Sequence, residues 1–245
     1  MRVARTASTQ EVVLRAAREG AGDGFACLAA EQTAGRGRQG RAWVAPAGSS
    51  MLASVLVRRS PAVAAGIPFA AGLALVDVLA SDYGVTAGLK WPNDVLIGGR
   101  KLAGILCEVE PATSTSELVA VALGIGVNLT VNSFPDDIAA VSLHTLVPTP
   151  PEAESLLAGW ARALAIRIEV LEQGGIAALL GDWRRCAVGL GGPVTVHASN
   201  ATTHGIAVDV GDDGALLVES AGRVHRFLAA EVHLGSDTTE PAEAK

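Results

Sequence analysis

Lys90-Trp91-Pro92-Asn93-Asp94-Val95-Leu96-Ile97-Gly98-Gly99-Arg100-Lys101-Leu102-Ala103-Gly104-Ile105-Leu106 is the stretch on which the reading of this chain turns. Its apolar runs and the Gly98-Gly99 pair predict a hairpin of two strands, residues 89–97 and 101–110, with Lys101 where the second begins. Upstream, Gly35-Arg36-Gly37-Arg38-Gln39-Gly40-Arg41 predicts a flexible loop carrying three guanidinium groups. A glycine-softened arginine loop facing a strand-borne lysine suits a small molecule whose carboxylate is to be joined to a nucleotide.

Around the hairpin the periodicities describe a mixed α/β fold, a central mixed β-sheet backed by helices. Ser8-Thr9 reads as a cap signal for a helix over 9–18, with Val12, Val13 and Ala16 on one face. Residues 25–29 and 51–58 read as strands. Residues 68–79 read as a helix with Pro68 in its first turn, where proline costs little. The near-continuous apolar run 118–129 predicts a strand buried on both faces. Leu156, Trp160, Leu164, Arg167 and Leu171 recur at helical spacing after Pro150-Pro151, and a second helix, 175–185, follows with Trp183 on its apolar side. Past Gly189 the texture changes to four short strand candidates, 193–197, 204–209, 215–219 and 224–227, separated by turn residues such as Asp212-Asp213-Gly214. They predict a small C-terminal β-barrel leaning on the larger unit. The implied division is 1–188, then 189–235, then a polar, disordered tail at 236–245.

Composition narrows the function. The chain has 245 residues, 49% of them hydrophobic, and a net charge of −6. An acidic globular chain is poorly suited to bulk nucleic-acid binding, which needs a basic field. Between Glu31 and Ser60, however, Arg36, Arg38, Arg41, Arg58 and Arg59 stand against the single acid Glu31, a local basic patch suited to a small anion. Cys27, Cys107 and Cys186 show neither CxxC pairing nor disulfide spacing, which points to reduced thiols in a cytoplasmic protein. No apolar signal core follows Arg2 and Arg5. The longest apolar run, 62–76, falls short of the roughly 20 residues of a membrane span and contains Pro68.

Joining a carboxylate to the α-phosphate of ATP brings two anions together, with charge accumulating on oxygens around phosphorus. Catalysis is then positioning and electrostatic stabilisation, with no protein nucleophile required. Lys101 offers a compact charge and Arg38 a planar fork for two oxygens. Taken singly, each residue has a plainer reading. The Gly/Arg loop alone fits a solvated turn, Lys101 an exposed side chain beside a turn, Trp43 and Trp91 core packing, and Asn128 a bond to nearby backbone. Co-occurrence in order is what favours chemistry.

These blocks, with Ser8-Thr9 and Gly124-Ile125-Gly126-Val127-Asn128, resemble the bacterial biotin protein ligases from Ser8 to Leu234. The resemblance implies a synthetase-like catalytic domain with an SH3-like C-terminal domain. It also implies biotin and ATP as substrates, Mg²⁺ arriving with ATP, and a biotinyl-5′-adenylate intermediate. The acceptor would be a lysine on the biotin carboxyl carrier domain of acetyl-CoA or another acyl-CoA carboxylase. The biotin-binding set becomes Ser8, Thr9, Gln10, Gln32, Gly35, Arg36, Gly37, Arg38, Lys101 and Gly104. Arg38, Arg41, Trp43, Lys101 and Asn128 would meet the adenylate, with Lys101 and Arg38 catalytic. Gln10 stands where the family usually has asparagine, and Gln39 where many members have a base. No metal ligands are expected in the protein. With residue 1 so close to Ser8-Thr9, no operator-binding segment and no DNA partner are expected, nor a membrane. The resemblance leaves monomer and sheet-edge homodimer both open. The alternatives are a lipoate or octanoate ligase of the same superfamily, or a non-catalytic biotin-sensing or RNA-binding module.

Overall fold

The computed structural model describes residues 1–110, 117–198 and 201–235. Its strands are β1 (Arg2–Thr6), β2 (Ala26–Gln32), β3 (Ser50–Arg59), β4 (Gly88–Lys90), β5 (Asp94–Ile97), β6 (Arg100–Glu110), β7 (Val119–Asn128), β8 (Pro193–Ala198), β9 (Ala201–Val210), β10 (Leu216–Ser220), β11 (Arg223–Phe227) and β12 (Glu231–Leu234). The helices are α1 (Thr9–Arg18), α2 (Pro61–Ala64), α3 (Ile67–Tyr83), α4 (Ala153–Gly174) and α5 (Ala177–Cys186). The tail expected at 236–245 lies outside the described residues.

The first seven strands make one mixed sheet in the order β1-β2-β3-β7-β6-β5-β4, parallel between β1 and β2 and antiparallel elsewhere. Alternation along β7 explains what covers each face. Val119, Val121, Leu123, Ile125 and Val127 enter the large core with Leu73, Leu79, Trp160 and Leu164 of α3 and α4. On the other face Ala120 and Ala122 pack beneath Val12 and Val13 of α1. Further along that face stand Gly124 and Gly126, too small to fill the space above them. The same strand therefore builds a core on one side and the floor of a cavity on the other.

The second sheet, β11-β10-β9-β8-β12, is antiparallel throughout. Val194, Val196, Val210, Leu216 and Val232 join the same core as α3, α4 and α5. The five-stranded sheet thus leans on the larger layer, as its small size requires. Trp91 fastens the contact, its indole donating to the Gly214 carbonyl at 3.0 Å. No helix among the described residues is long and apolar enough to cross a membrane.

Several expectations are corrected here. The single strand predicted over 89–97 is two, because β4 stops at Lys90 and β5 begins at Asp94. Pro92 has no N–H to give a ladder, so the strand cannot run through it. The Gly98-Gly99 turn does form, with both residues at positive φ. β1 and β12 carried no clear strand signal, since each is short and largely polar and exists by pairing with β2 or β8. The cap signal at Ser8 places the start of α1, yet Ser8 makes no side-chain cap bond. Arg167, read within the apolar stripe of α4, instead bridges Asp77 and Asp182 while Ile168 is buried.

Candidate active site

A cavity of about 930 Å³ opens over the small-residue face of β6 and β7, a volume in the usual range for small-molecule sites. Gly104 and Gly126 are cross-strand partners in its floor. The indole of Trp43 lies over both: a Cβ at Gly126 would meet its Cε2 at 2.6 Å, and one at Gly104 its Cζ3 at 3.0 Å. Two glycines at paired positions make room for one aromatic ring. Trp43 Nε1 is buried there without an acceptor among the described residues, an orphaned donor inside the cavity. Gly35 holds the Trp43 backbone from behind, accepting its N–H at 3.0 Å.

At one end, two glutamines are oriented by their surroundings. Thr9 donates from its backbone N–H (2.7 Å) and its hydroxyl (3.0 Å) to Gln32 Oε1. The Thr9 hydroxyl also sits 2.8 Å from that of Ser54. Because a backbone N–H can only donate, the Gln32 carbonyl is fixed behind and its amide nitrogen faces the cavity. Gln10 is the reverse. Its Nε2 donates to the carbonyls of Leu106 (3.0 Å) and Ala122 (3.2 Å), which leaves Oε1 as the group presented. The cavity end thus offers one amide donor and one amide acceptor.

At the other end the cations gather. Lys101 Nζ lies 2.6 Å from Asp94 Oδ1 and 5.7 Å from the Trp43 ring centre. Arg36 is drawn to the rim by Glu108 at 3.1 Å and by Glu11. Arg38 donates to the Ala230 carbonyl at 3.2 Å, and Arg41 pairs with Glu231, so both reach across to the second sheet. The bond from Arg41 holds the Glu231 carboxyl below the usual carboxylate range. Burial pulls the Arg38 guanidinium below its ordinary value, against the attraction of Asp94 and Glu231. Gln39 occupies the left-handed region at φ 56, bending the loop between these two arginines.

Asn128 is buried at the end of β7, its Nδ2 donating to Val141 O at 3.2 Å and Lys101 O at 3.4 Å. Together with Lys101 N–H to Ala139 O (2.8 Å) and Val141 N–H to Lys101 O (3.0 Å), it lays 139–141 alongside Lys101. Asn128 is among the residues that line the cavity.

The profile of the Biotin/lipoate A/B protein ligase family matches residues 3–128, and that of the Biotin protein ligase C terminal domain matches 189–235. The chain belongs to the biotin/lipoate A/B protein ligase family. Among similar members, a biotin–[acetyl-CoA-carboxylase] ligase of Paracoccus denitrificans is 39% identical, over 95% of this chain and 99% of its own. A protein of the same name from Mycobacterium tuberculosis is 38% identical over 94% and 86%. In fold the chain resembles the Aquifex aeolicus biotin protein ligase solved with biotin and ATP, with a TM-score of 0.81 at 22% identity over 96% and 98% of the two chains.

Within this ligase-family fold the cavity brings together Thr9, Gln10, Gln32, Arg36, Gly37, Arg38, Arg41, Trp43, Lys101, Gly104 and Asn128. Ser8 and Gly35 stand outside the lining. Ser8 is buried at the start of α1, its carbonyl accepting the Val12 N–H at 3.3 Å, and Gly35 supports Trp43. Sequence reasoning missed Ser54, Gly126, Ala230 and Glu231. The alternation of large and small residues along β7 carried a signal for Gly126. The other three enter through tertiary pairing, which no local pattern reports. Cys107 lies on the core side of β6, where burial pushes its thiol up to about 12. The described residues hold no cluster of three or more His, Cys, Asp or Glu that could bind a metal.

Proposed function

We propose that this chain is a biotin–protein ligase that forms biotinyl-5′-AMP from biotin and ATP, then passes biotin to one lysine of a biotin carboxyl carrier domain. The oriented amide pair carries this reading. A ureido ring presents two N–H donors and a carbonyl acceptor, and Gln10 Oε1 with Gln32 Nε2 offers their complement. A site built from committed hydrogen-bonding groups rejects analogues that lack them far more strongly than an apolar groove does.

In the first step a biotin carboxylate oxygen attacks the α-phosphorus and pyrophosphate leaves. Lys101 and Arg38 supply positive charge where oxygens become more negative, the largest single contribution available to a site without a nucleophile. In the second step an acceptor lysine, as its free amine, attacks the activated carbonyl. The amide forms, AMP departs, and the amine's extra proton is lost. The loop 35–43 shelters the anhydride from water. Mg²⁺ would arrive with ATP and neutralise phosphate charge, held chiefly by the phosphates themselves, with a lining carboxylate such as Asp94 or Glu231 available to share it. Residues 1–188 form the catalytic unit in this reading, 189–235 close one end of its cavity, and the enzyme works in the cytoplasm on an acyl-CoA carboxylase.

The test is pyrophosphate release from Mg-ATP with biotin, lipoate or octanoate and no carrier protein. Release with biotin alone is expected. Release with lipoate or octanoate instead would move the chain to the other branch of the family, and silence with all three would overturn the reading.

A further inference from the structure

Five side-chain cations of lysine and arginine line the cavity: Arg36, Arg38, Arg41, Lys90 and Lys101. Three are neutralised in place, Arg36 by Glu11 and Glu108, Arg41 by Glu231, and Lys101 by Asp94. Arg38 has no carboxylate within ion-pair distance among the described residues but spends a donor on Ala230 O. Lys90 has neither an ion pair nor a hydrogen bond among the described residues, although its side chain is half-buried. An ammonium group carries three donors, and burying it without acceptors is costly.

Its position shows what those donors can reach. Lys90 ends β4 and is the register partner of Asp94 on β5, which in turn holds Lys101 on β6. Asp94, Lys101, Glu231 and Arg41 are the charged groups that act on it, which places the ammonium at the cationic end of the cavity, toward β12. Burial pulls the Lys90 ammonium below its ordinary value, and neighbouring Lys101 adds to that. A multiply charged anion among these groups would reverse both effects. Trp91 and Pro92 follow Lys90 directly, and the bond from the Trp91 indole to Gly214 anchors the backbone from which the Lys90 side chain springs.

On the ligase reading above, Lys101 faces the α-phosphate, and we infer that Lys90 binds the β- and γ-phosphates of ATP and holds the departing pyrophosphate. The unpaired charge adds attraction for the triphosphate without competing with Lys101 for the reacting phosphorus. Biotin has no phosphate, and the single phosphate of AMP is the one assigned to Lys101.

The experiment uses the full chain and inorganic pyrophosphate with Mg²⁺ as the probe. Lys90→Met keeps an unbranched stem of similar bulk and removes the charge. It is expected to weaken pyrophosphate binding and raise the KM for Mg-ATP by roughly tenfold or more, the usual effect of losing a charge-assisted hydrogen bond. AMP and biotin affinities should stay within about twofold, and thermal stability should not fall. Lys90→Arg should recover part of the pyrophosphate binding. Should Lys90→Met not fold, the wild-type chain decides: pyrophosphate, but not AMP, should protect Lys90 from amine acetylation followed by mass spectrometry. Unchanged pyrophosphate affinity in Lys90→Met, no protection in the wild type, or a defect confined to the KM for the acceptor domain would overturn the assignment. Wild-type protein that releases no pyrophosphate with any acid overturns the ligase reading instead, so the two failures are separable.

Discussion

Lys101 Nζ lies 2.6 Å from Asp94 Oδ1, so the lysine proposed to act at the reacting phosphorus is paired with a carboxylate on the neighbouring strand. That contact is an ion pair, and a phosphate group would have to share it. Lys101→Ala should therefore lower kcat/KM for adenylation by about 10²–10³-fold, the scale seen when one transition-state donor is removed. Biotin affinity should change by no more than about fivefold, since the charge matters most as the phosphorus reacts. Calorimetry for biotin, set beside a pyrophosphate-release assay, checks this. Equal losses in both would refute the assignment.

Arg38 reaches from the glycine-rich loop to the Ala230 carbonyl on the approach to β12. Arg38→Gly removes that tie and, on the proposed ligase reading, a phosphate contact, so the adenylate should escape before transfer. The measurable consequence is indiscriminate biotin on bystander proteins mixed with the variant. Retention of the intermediate at the wild-type level would contradict the role.

Gly126 and Gly104 exist to receive the Trp43 indole. Gly126→Ala would place a methyl 2.6 Å from Cε2, and the ring must lift away. Because β7 tolerates alanine at Ala120 and Ala122, the fold should survive with a thermal midpoint lowered by only a few degrees. Adenylation kcat/KM should fall about tenfold. An unaffected rate would show that the ring's seat does not matter to the reaction.

Away from the cavity, Arg167 is a stability device. It donates from Nε to Asp77 at 2.8 Å and also pairs with Asp182 on α5, joining three helices. Arg167→Ala should cost about 1–2 kcal/mol, since the carboxylates it leaves are partly solvated. The bond from Arg167 holds the Asp182 carboxyl below its ordinary range. Such a group stabilises the fold above about pH 4 and loses that contribution as pH falls through the lowered native value. Denaturant titrations between about pH 7 and pH 3 should show this acid-sensitive part in the wild type and a smaller one in Arg167→Ala, with adenylation at neutral pH unchanged.

Much of the architecture was legible from local pattern. The helix at 9–18 starts where the Ser8-Thr9 signal placed it, although Ser8 makes no cap bond, and the Gly98-Gly99 turn follows from its positive-φ glycines. The buried central strand follows from its apolar run. The strand break at Trp91-Pro92 was available in principle, since proline cannot serve a ladder, but the flanking apolar residues outweighed it. β1 and β12 were not legible, because their residues are strand-forming only beside a partner.

The sequence by itself determined which chemistry-bearing residues the chain possesses and the order in which they come: an arginine loop, a strand-borne lysine, and a strand narrowing from valine and alanine to glycine. Those are properties of neighbours along the chain, and alternation with period two turns them into two faces of a sheet. Only the tertiary structure decided which way the amides of Gln10 and Gln32 point. It also decided that Glu231 on β12 would neutralise Arg41, and that Lys90 would have no ion-paired carboxylate among the described residues. The reason is physical. The orientation of an amide and the pairing of a charge are set by whichever donors and acceptors arrive across space, and in this fold they arrive from residues 23 to 190 positions away.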